Sequence, residues 1–419
     1  MQRASVLVLG GGIVGVSTAL QLQSRGIPAI LIDRQPPGLG ASFGNSGVIQ
    51  REAVLPYAMP RDAKTLLRTL IGRNTAARLQ LSALPGLLPF LTRYWWHSSK
   101  ARHHSIAKSY AGLIERCLES WQQAIQDTDA GSLLSHQGYL AGFRTPSRYE
   151  SARAEADEFA QQYGLSVSHL QGSAEIRQAV PHISPAFHAM IHYHDAVTVS
   201  DPHALLIELL TKFHSLGGRF AKADAMQLRA DAGGYSLPSE AGPIRTRHAV
   251  IALGADAAQL SAKFGLKLPM GSKRGYHVHF GPVPEAPLTA TIVDAEHGFV
   301  LTPKSAGIRL TTGAEFAAPS APPSPRQLQQ VTPIAQQLHP LGDRVETTPW
   351  MGIRPCMPDM LPVIGAVPGH NNLWCAFGHG HQGLTLGPVT GDIVADLIEG
   401  RGARIDPAPF SPARFRRSF

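Results

Sequence analysis

A glycine turn placed directly after an apolar run constrains this chain more than any other feature. Val6–Leu9 leads into Gly10-Gly11-Gly12-Ile13-Val14-Gly15, and a helix-like stretch follows over Ile13–Gln23. Bare glycines at such a turn let backbone approach a pyrophosphate, and the helix N-terminus favours its charge. Asp33 closes a second apolar run, Ala29–Ile32, where it can accept hydrogen bonds from ribose hydroxyls or simply cap the strand end. Arg34, next to it, faces either an adenosine or solvent. Residues 4–33 therefore read as strand, turn, helix and strand, with spacing suited to a dinucleotide. A second glycine cluster, Gly378-His379-Gly380-His381-Gln382-Gly383, stands near the opposite end of the chain. That second turn suggests that the dinucleotide is FAD rather than NAD.

The 419 residues are enough for a large core and two domains. Apolar content of 43% and charged content of 16% fit an ordered globular protein. The net charge of +8 is concentrated between Arg61 and Lys108 and in the tail residues Arg414, Arg416 and Arg417. Such a balance suits an anionic substrate, a membrane surface or nucleic acid, or merely keeps a protein soluble; no nucleic-acid partner is expected. Cys117, Cys356 and Cys375 are scattered, which supports neither a zinc site nor a disulfide framework. A reducing, cytoplasmic compartment fits. No leader peptide is evident and no apolar run is long enough to span a bilayer.

Further along, Pro36–Gly47 reads as a loop carrying Ser42-Phe43-Gly44-Asn45-Ser46-Gly47. Ala63 to about Gln126 reads as mostly helical, broken at Pro85 and Pro89, with Leu66, Leu67, Leu70 and Ile71 at helical spacing. Gln137–Phe143 alternates as a strand, and Ser147–Tyr163 as an amphipathic helix ended by Gly164. Asp201-Pro202 marks a helix start with its stop at Gly217-Gly218. Strands are expected at Arg219–Ala223, Met226–Ala230, His248–Leu253, 275–280, Phe299–Thr302, Ile308–Thr312 and Leu373–Phe377. A helix is expected at Arg326–Leu338, and another from about Leu384 to Ile398. Dinucleotide elements thus occur at the start, middle and end, as if a second domain were inserted twice.

Other residues can carry chemistry. Ser42 and Asn45–Gly47 offer a hydroxyl and successive backbone N–H groups for phosphate oxygens or a flavin edge, or form an ordinary loop. The N–H groups around Gly383, Leu384 and Thr385 can face a flavin carbonyl where charge accumulates on reduction. Arg354, in Gly352-Ile353-Arg354-Pro355, presents a planar fork for a carboxylate, or makes a surface ion pair. The histidines His182, His188, His192 and His194 match no standard zinc spacing, and no metal site is expected. Trp95-Trp96 beside Arg93, Lys100 and Arg102 suits a membrane interface, a core or a dimer face.

These residues resemble the FAD-dependent D-amino-acid dehydrogenases, within the wider glycine oxidase, sarcosine oxidase and D-amino-acid oxidase group. The likeness rests on Val6–Gly15 with Asp33, on Ala41–Gly47, on Gly352–Pro355 with Pro358-Asp359 and Pro362–Gly365, and on Gly378–Gly391. It implies an α/β protein. A Rossmann-like FAD-binding domain (1–60, 196–265 and 350–419) would interleave with an α+β substrate-binding domain (61–195 and 266–349) on a large mixed or antiparallel sheet. The resemblance places the substrate carboxylate on Arg354, and flavin contacts at Ser42 and along Asn45, Ser46, Gly47 and Val48. It places FAD phosphates near Ala252 and Gly254, and adenine near Ala225. Sarcosine oxidases attach their flavin to a cysteine where this chain has Gly352, so non-covalent FAD is expected. Gly-His-Gly is followed here by His381-Gln382-Gly383-Leu384 rather than Thr-Leu-Gly-Trp, which points to a different substrate, a secondary or cyclic amine such as a proline derivative among them.

The implied reaction oxidises an α-amino acid to its imino acid by hydride transfer to flavin N5. Arg354, Tyr276 and His381 are the candidate catalytic or pocket residues. The electron acceptor is a quinone or another carrier, which would put the protein in peripheral contact with the cytoplasmic face of a membrane, with oligomers left open. The competing readings are an amine oxidase of the sarcosine or glycine oxidase kind that uses O2, and a non-catalytic flavoprotein subunit.

Overall fold

In the computed structural model, which describes residues 2–415, the apolar runs before the glycine turns become the middle of an eight-stranded sheet. Arg416 and Arg417 lie outside the described residues. Gln2–Leu9 pairs in parallel with Ala29–Asp33 on one side and Ile244–Ile251 on the other. Arg219–Lys222 and Leu373–Phe377 extend the parallel set outward. Val6 and Val8 point into one core and Leu7 and Leu9 into another, all fully buried. That is why the run is apolar at every position rather than at alternate ones.

The helices Ile13–Ser24 and Gly383–Glu399 lie against each other on one face of this sheet. Glycine allows the approach: a side chain at Gly391 would stand 2.9 Å from the backbone oxygen of Ser17. Arg25 then ties the pair with ion pairs to Asp392, Asp396 and Glu399. The two ends of the chain, and both of its glycine turns, are thereby brought together.

The second sheet has ten strands. Gly271–Phe280, buried along its whole length, pairs with Gly307–Thr312, Ala314–Phe316 and Trp350–Cys356. Its outer face, with Tyr276, Val278 and Phe280, packs on Leu328, Val331 and Ala335 of the helix Arg326–Leu338. Its inner face turns toward the first sheet.

Several expectations need correction. The strand Ala77–Leu79 interrupts the helical region because it pairs with Ala314–Phe316. Pro85 lies in the first turn of the helix Leu84–His97, and that helix runs on through Pro89. Burial of Leu87, Phe90, Leu91 and Tyr94 holds it together despite the one amide bond that proline cannot make. Met226–Ala230 is not one strand: a 3-10 turn, Ala225–Gln227, is capped by Asp224 and precedes the strand Arg229–Asp231. The expected helical spacing holds for Leu67 and Leu70 in the helix Ala63–Leu70, and both are exposed, as is Ile71. Cys117, Trp121 and Ala124 of the helix Cys117–Ile125 share a core with Val6 and Ile13, so this helix packs with the nucleotide sheet. Trp350–Cys356, conversely, is a strand of the ten-stranded sheet.

Candidate active site

The carboxyl ends of the parallel strands and the inner face of the ten-stranded sheet enclose a cavity of about 1150 Å³. Ordinary small-ligand pockets hold roughly 300–1,000 Å³. This one has room for a dinucleotide and a small second molecule. Crevices at the carboxyl ends of such strands are where α/β sheets bind ligands.

At one end stands the first glycine turn. Gly10 adopts φ 115°, and a side chain there would lie 2.4 Å from the Ala252 carbonyl oxygen. A side chain at Gly12 would meet only Ser42 Oγ, at 3.4 Å, so its open side is the cavity itself. The Ile13 amide donates to Ser42 Oγ at 2.9 Å. Gly11 N–H donates to Asp33 Oδ2 at 2.7 Å, and Gln35 N–H to Oδ1 at 2.9 Å. Asp33 thus caps the turn while bordering the cavity, with lone pairs left for a further donor. Arg34 pairs with Asp256 at 2.8 Å, and both border the same space. Val14, Ala225, Ala252 and Gly254 complete this end.

Arg354 stands at the other end. Its guanidinium lies over Gly275, where a side chain would be 2.4 Å from Nη2. Among the described residues its one hydrogen bond runs from Nη1 to the Gly313 carbonyl oxygen at 2.8 Å. Four of its five N–H donors are left for a ligand. Burial lowers its pKa, opposed by Cys356 and Tyr57, yet from an ordinary value so high that the group stays cationic. His381 sits beside it, its ring 5.0 Å from that of Tyr57. Burial, with the Arg354 and Lys273 charges, pushes the His381 pKa well below the usual imidazole value and keeps the ring neutral. Gly378, His379, Gly380, Gly383 and Leu384 border the cavity between its two ends. His379 is neutral by burial, its pKa near about 3, and pairs with Thr390 Oγ1 at 2.8 Å.

Residues 5–397 match the sequence model of the family described as FAD dependent oxidoreductase. The chain belongs to that family. It is 29% identical to a D-amino-acid oxidase of Bradyrhizobium diazoefficiens over 420 residues, covering 98% of each. It is 28% identical to a D-amino acid dehydrogenase of a Methylobacterium species, covering 99% of each. Among solved structures it resembles L-proline dehydrogenase from P. horikoshii, with a TM-score of 0.76 at 18% identity over 100% of this chain and 99% of that one. It also resembles glycine oxidase from Geobacillus kaustophilus, with a TM-score of 0.73 at 24% identity over 99% of both chains.

An FAD-dependent oxidoreductase needs a cradle for its cofactor, and the open glycines here fit one. Gly12, Gly380 and Gly383 would place almost nothing but a new side chain into the cavity: the nearest atoms lie at 3.4, 3.7 and 4.0 Å. Asn45, Ser46 and Val48 line its wall. Asn45 Oδ1 also accepts from Gly47 N at 2.7 Å, which shapes the turn.

Three residues singled out in the sequence do other work, and the side chain of a fourth, Thr385, is engaged within the chain. Gly15 stays out of the cavity; a side chain there would lie 1.8 Å from the Gly10 oxygen, so it serves helix-to-strand packing. Gly47 is wedged against Val199 and Lys304, behind the wall. Thr385 is fully buried, donating to Gln382 Oε1 and accepting from Gln50 N. Tyr276 borders the cavity, but its hydroxyl donates to Glu315 Oε2 at 2.6 Å and accepts from Arg274 Nη2 and Ser324 N. Along a strand, alternate side chains take opposite faces. Tyr276 therefore faces the helix while Lys273, Gly275 and His277 face inward.

The sequence pattern did not single out Lys273, Tyr57 or Trp350. Lys273 is detectable afterwards from the same alternation, two positions before Gly275. The Trp350 ring fills the space where Gly352 and Gly44 lack side chains, and stacks on His277 at 4.9 Å. His277, His279 and Glu346 bring three ligand atoms within 4.8 Å. Both His279 nitrogens are already engaged, by Glu346 and by Arg309 Nε, so the group is a hydrogen-bonded wall rather than a cation site. His192 and His194 bond to the Gln137 carbonyl and to Ser168 Oγ.

Proposed function

We propose that this protein oxidises an α-amino acid to the imino acid, with FAD held non-covalently. The carrying observation is Arg354: a half-buried guanidinium with four unused donors, beside the second glycine turn, in the same cavity as the nucleotide-type turn. A carboxylate is the ligand that such a planar fork matches. FAD, when bound, supplies a two-electron acceptor for the C–H bond. Arg354 anchors the carboxylate and so fixes which bond is presented. Neutral His381 offers a ring-nitrogen lone pair to the substrate amine. Trp350 in the space beside Gly352, with Cys356 buried in a separate apolar cluster, supports non-covalent attachment. The two-domain division expected from the sequence (1–60, 196–265 and 350–419 against 61–195 and 266–349) is proposed with Cys117–Ile125 moved to the nucleotide side and Trp350–Cys356 to the other.

For the acceptor, we propose a membrane quinone, with peripheral membrane contact. On the helix Ala63–Leu70, Leu66 and Thr69 border the cavity while Leu67 and Leu70 are exposed. Ile71, Trp95 and Trp96 are exposed as well, and Arg61 and Arg102 lie over the two indoles. An apolar surface with basic residues suits an anionic lipid face. No helix among the described residues is long and apolar enough to cross a membrane.

The test is anaerobic mixing of the yellow protein with single D- and L-amino acids. Bleaching of the flavin band is expected with the parent. Arg354→Ala should keep its FAD and lose roughly 10³-fold in kcat/KM, about 4 kcal/mol. Arg354→Lys should recover only part, lacking the fork. A parent that no amino acid bleaches is a non-catalytic flavoprotein. Hydrogen peroxide formed in air at the rate of quinone reduction would replace the quinone by O2.

A further inference from the structure

Lys273 and Arg354 are direct partners across the antiparallel pairing of Gly271–Phe280 with Trp350–Cys356. Both belong to the cavity wall. Like charges placed opposite each other on neighbouring strands destabilise a sheet, and more so away from water. Lys273 is only 6% exposed. Among the described residues its ammonium makes one hydrogen bond, to Tyr94 Oη at 2.9 Å. Tyr94 donates its own proton to the Tyr57 carbonyl oxygen and so cannot supply a counter-charge. The rings of Tyr94 and Phe316 lie 4.1 and 5.5 Å from Nζ. No carboxylate pairs with Lys273 or Arg354 among the described residues.

Not every cation of the same sheet meets a carboxylate: buried Arg309 donates to His279 and to the Phe43 and Asn45 carbonyl oxygens, but two others near its strands do. Arg274, one residue along and on the opposite face, meets Glu315 at 3.2 Å. Arg144 meets Asp294 at 2.8 Å. The fold can place a carboxylate on a buried cation, and on the cavity side it has placed none. Two N–H donors of Lys273 and four of Arg354 remain for a ligand. A monocarboxylate satisfies Arg354 and leaves an uncompensated ammonium beside it.

We propose that the substrate is an α-amino dicarboxylate, whose α-carboxylate rests on Arg354 and whose side-chain carboxylate rests on Lys273. This rests on the amino-acid reading above and narrows it to a substrate class. Tyr94, Phe316 and the neighbouring Met59 would then flank the methylene carbons between the two anions.

Two measurements test it. In the parent, the flavin spectrum is titrated with succinate and glutarate, and with propionate and butyrate. The diacids are expected to bind at least tenfold more tightly; equal affinities would overturn the assignment without any variant. Second, kcat/KM is compared for both hands of aspartate and glutamate against alanine and norvaline, in the parent and in Lys273→Met. The parent should favour a dicarboxylate by at least tenfold, and Lys273→Met should reduce that ratio at least tenfold, mostly through KM. Lys273→Arg should restore part of it. A parent that prefers the neutral amino acids sinks the second-anion site while leaving the amino-acid reading intact. A parent that none of them reduces while another amino acid bleaches it sinks the second-anion site alone; one that no D- or L-amino acid bleaches sinks both.

Discussion

The two ends of the cavity satisfy their hydrogen-bonding groups in opposite ways. At the nucleotide end, several backbone donors are already met from within the chain: Ser42 takes the Ile13 amide, and Asp33 takes those of Gly11 and Gln35. Glycines there are fixed by contact, as at Gly10 against Ala252 and Gly15 against Gly10. At the substrate end, buried Lys273 and half-buried Arg354 keep most of their donors unused. A turn built to receive any dinucleotide is complete by itself. A pocket built to choose a substrate is left short of the charge that the substrate brings. Free binding energy is thereby reserved for the molecule that carries it.

The largest effect expected from breaking this contrast falls on the packed end. Gly15→Ala would place a methyl group 1.8 Å from a backbone oxygen that has nowhere to move. A loss of about 2–4 kcal/mol in stability is expected, with flavin lost on purification. Thermal unfolding and the ratio of flavin to protein absorbance check it. Wild-type stability and full flavin content in this variant would show that the turn is loosely packed.

Gly275→Ala makes the matching intrusion at the substrate end, 2.4 Å from Arg354 Nη2. There the obstacle is the tip of a side chain, so the fold should yield cheaply and the function should not. The displaced guanidinium is expected to cost roughly 10–100-fold in kcat/KM, about 1.5–3 kcal/mol, with stability changed by less than about 1 kcal/mol. A melting temperature that falls as far as in Gly15→Ala would erase the distinction between the two ends.

These two glycines also show which parts of the molecule could be read from the sequence. Gly15 belongs to a motif whose partners lie within a few residues, so strand, turn and helix were legible from spacing alone. Its role was not, since packing and cofactor contact leave the same letter in a sequence. Gly275 stands beneath Arg354 only because two strands distant in the chain are paired. Tyr276 was misplaced for a related reason: alternation reveals two faces but not which one looks inward. Lys273 lay on the same strand and was passed over because its meaning comes from the cation across from it. Leu67 and Leu70 gave a helical period that the helix Ala63–Leu70 bears out, but not their exposure, since periodicity does not say what an apolar stripe packs on.

Between the two ends, Gln50 links residue Glu52 to the start of the C-terminal helix. Gln50 Nε2 donates to Glu52 Oε1 at 2.8 Å, and Gln382 Nε2 donates to Gln50 Oε1 at 2.7 Å. Burial, partly offset by backbone and Gln50 hydrogen bonds, pushes the Glu52 carboxyl up to about 7 from an ordinary 4.5. The folded state therefore holds a proton that the unfolded state has released across that interval. Stability should fall as pH rises from about 4.5 to about 7 and then level off, by on the order of 1–3 kcal/mol from this group. Glu52→Gln should flatten the fall. Denaturant unfolding at pH 5 and pH 8 in parent and variant gives the comparison; identical pH slopes would mean that Glu52 is ionised throughout in the native protein.

The smallest effect is expected at Arg34, a cationic side chain on the rim of the nucleotide end. Its pair with Asp256 is exposed on both sides, 64% and 46%, and exposed pairs contribute about 0–1 kcal/mol before salt screens them. If the nucleotide end is held by backbone shape, Arg34→Ala should change FAD affinity by less than tenfold and leave substrate specificity alone. FAD affinity is measured by titrating apoprotein, at low and at high salt. A loss of a hundredfold that grows as salt is lowered would place a charge, rather than a packed turn, in control of cofactor binding. Both ends would then recognise their ligands by unpaired cations, and the asymmetry between a self-sufficient turn and an unsatisfied pocket would no longer describe this cavity.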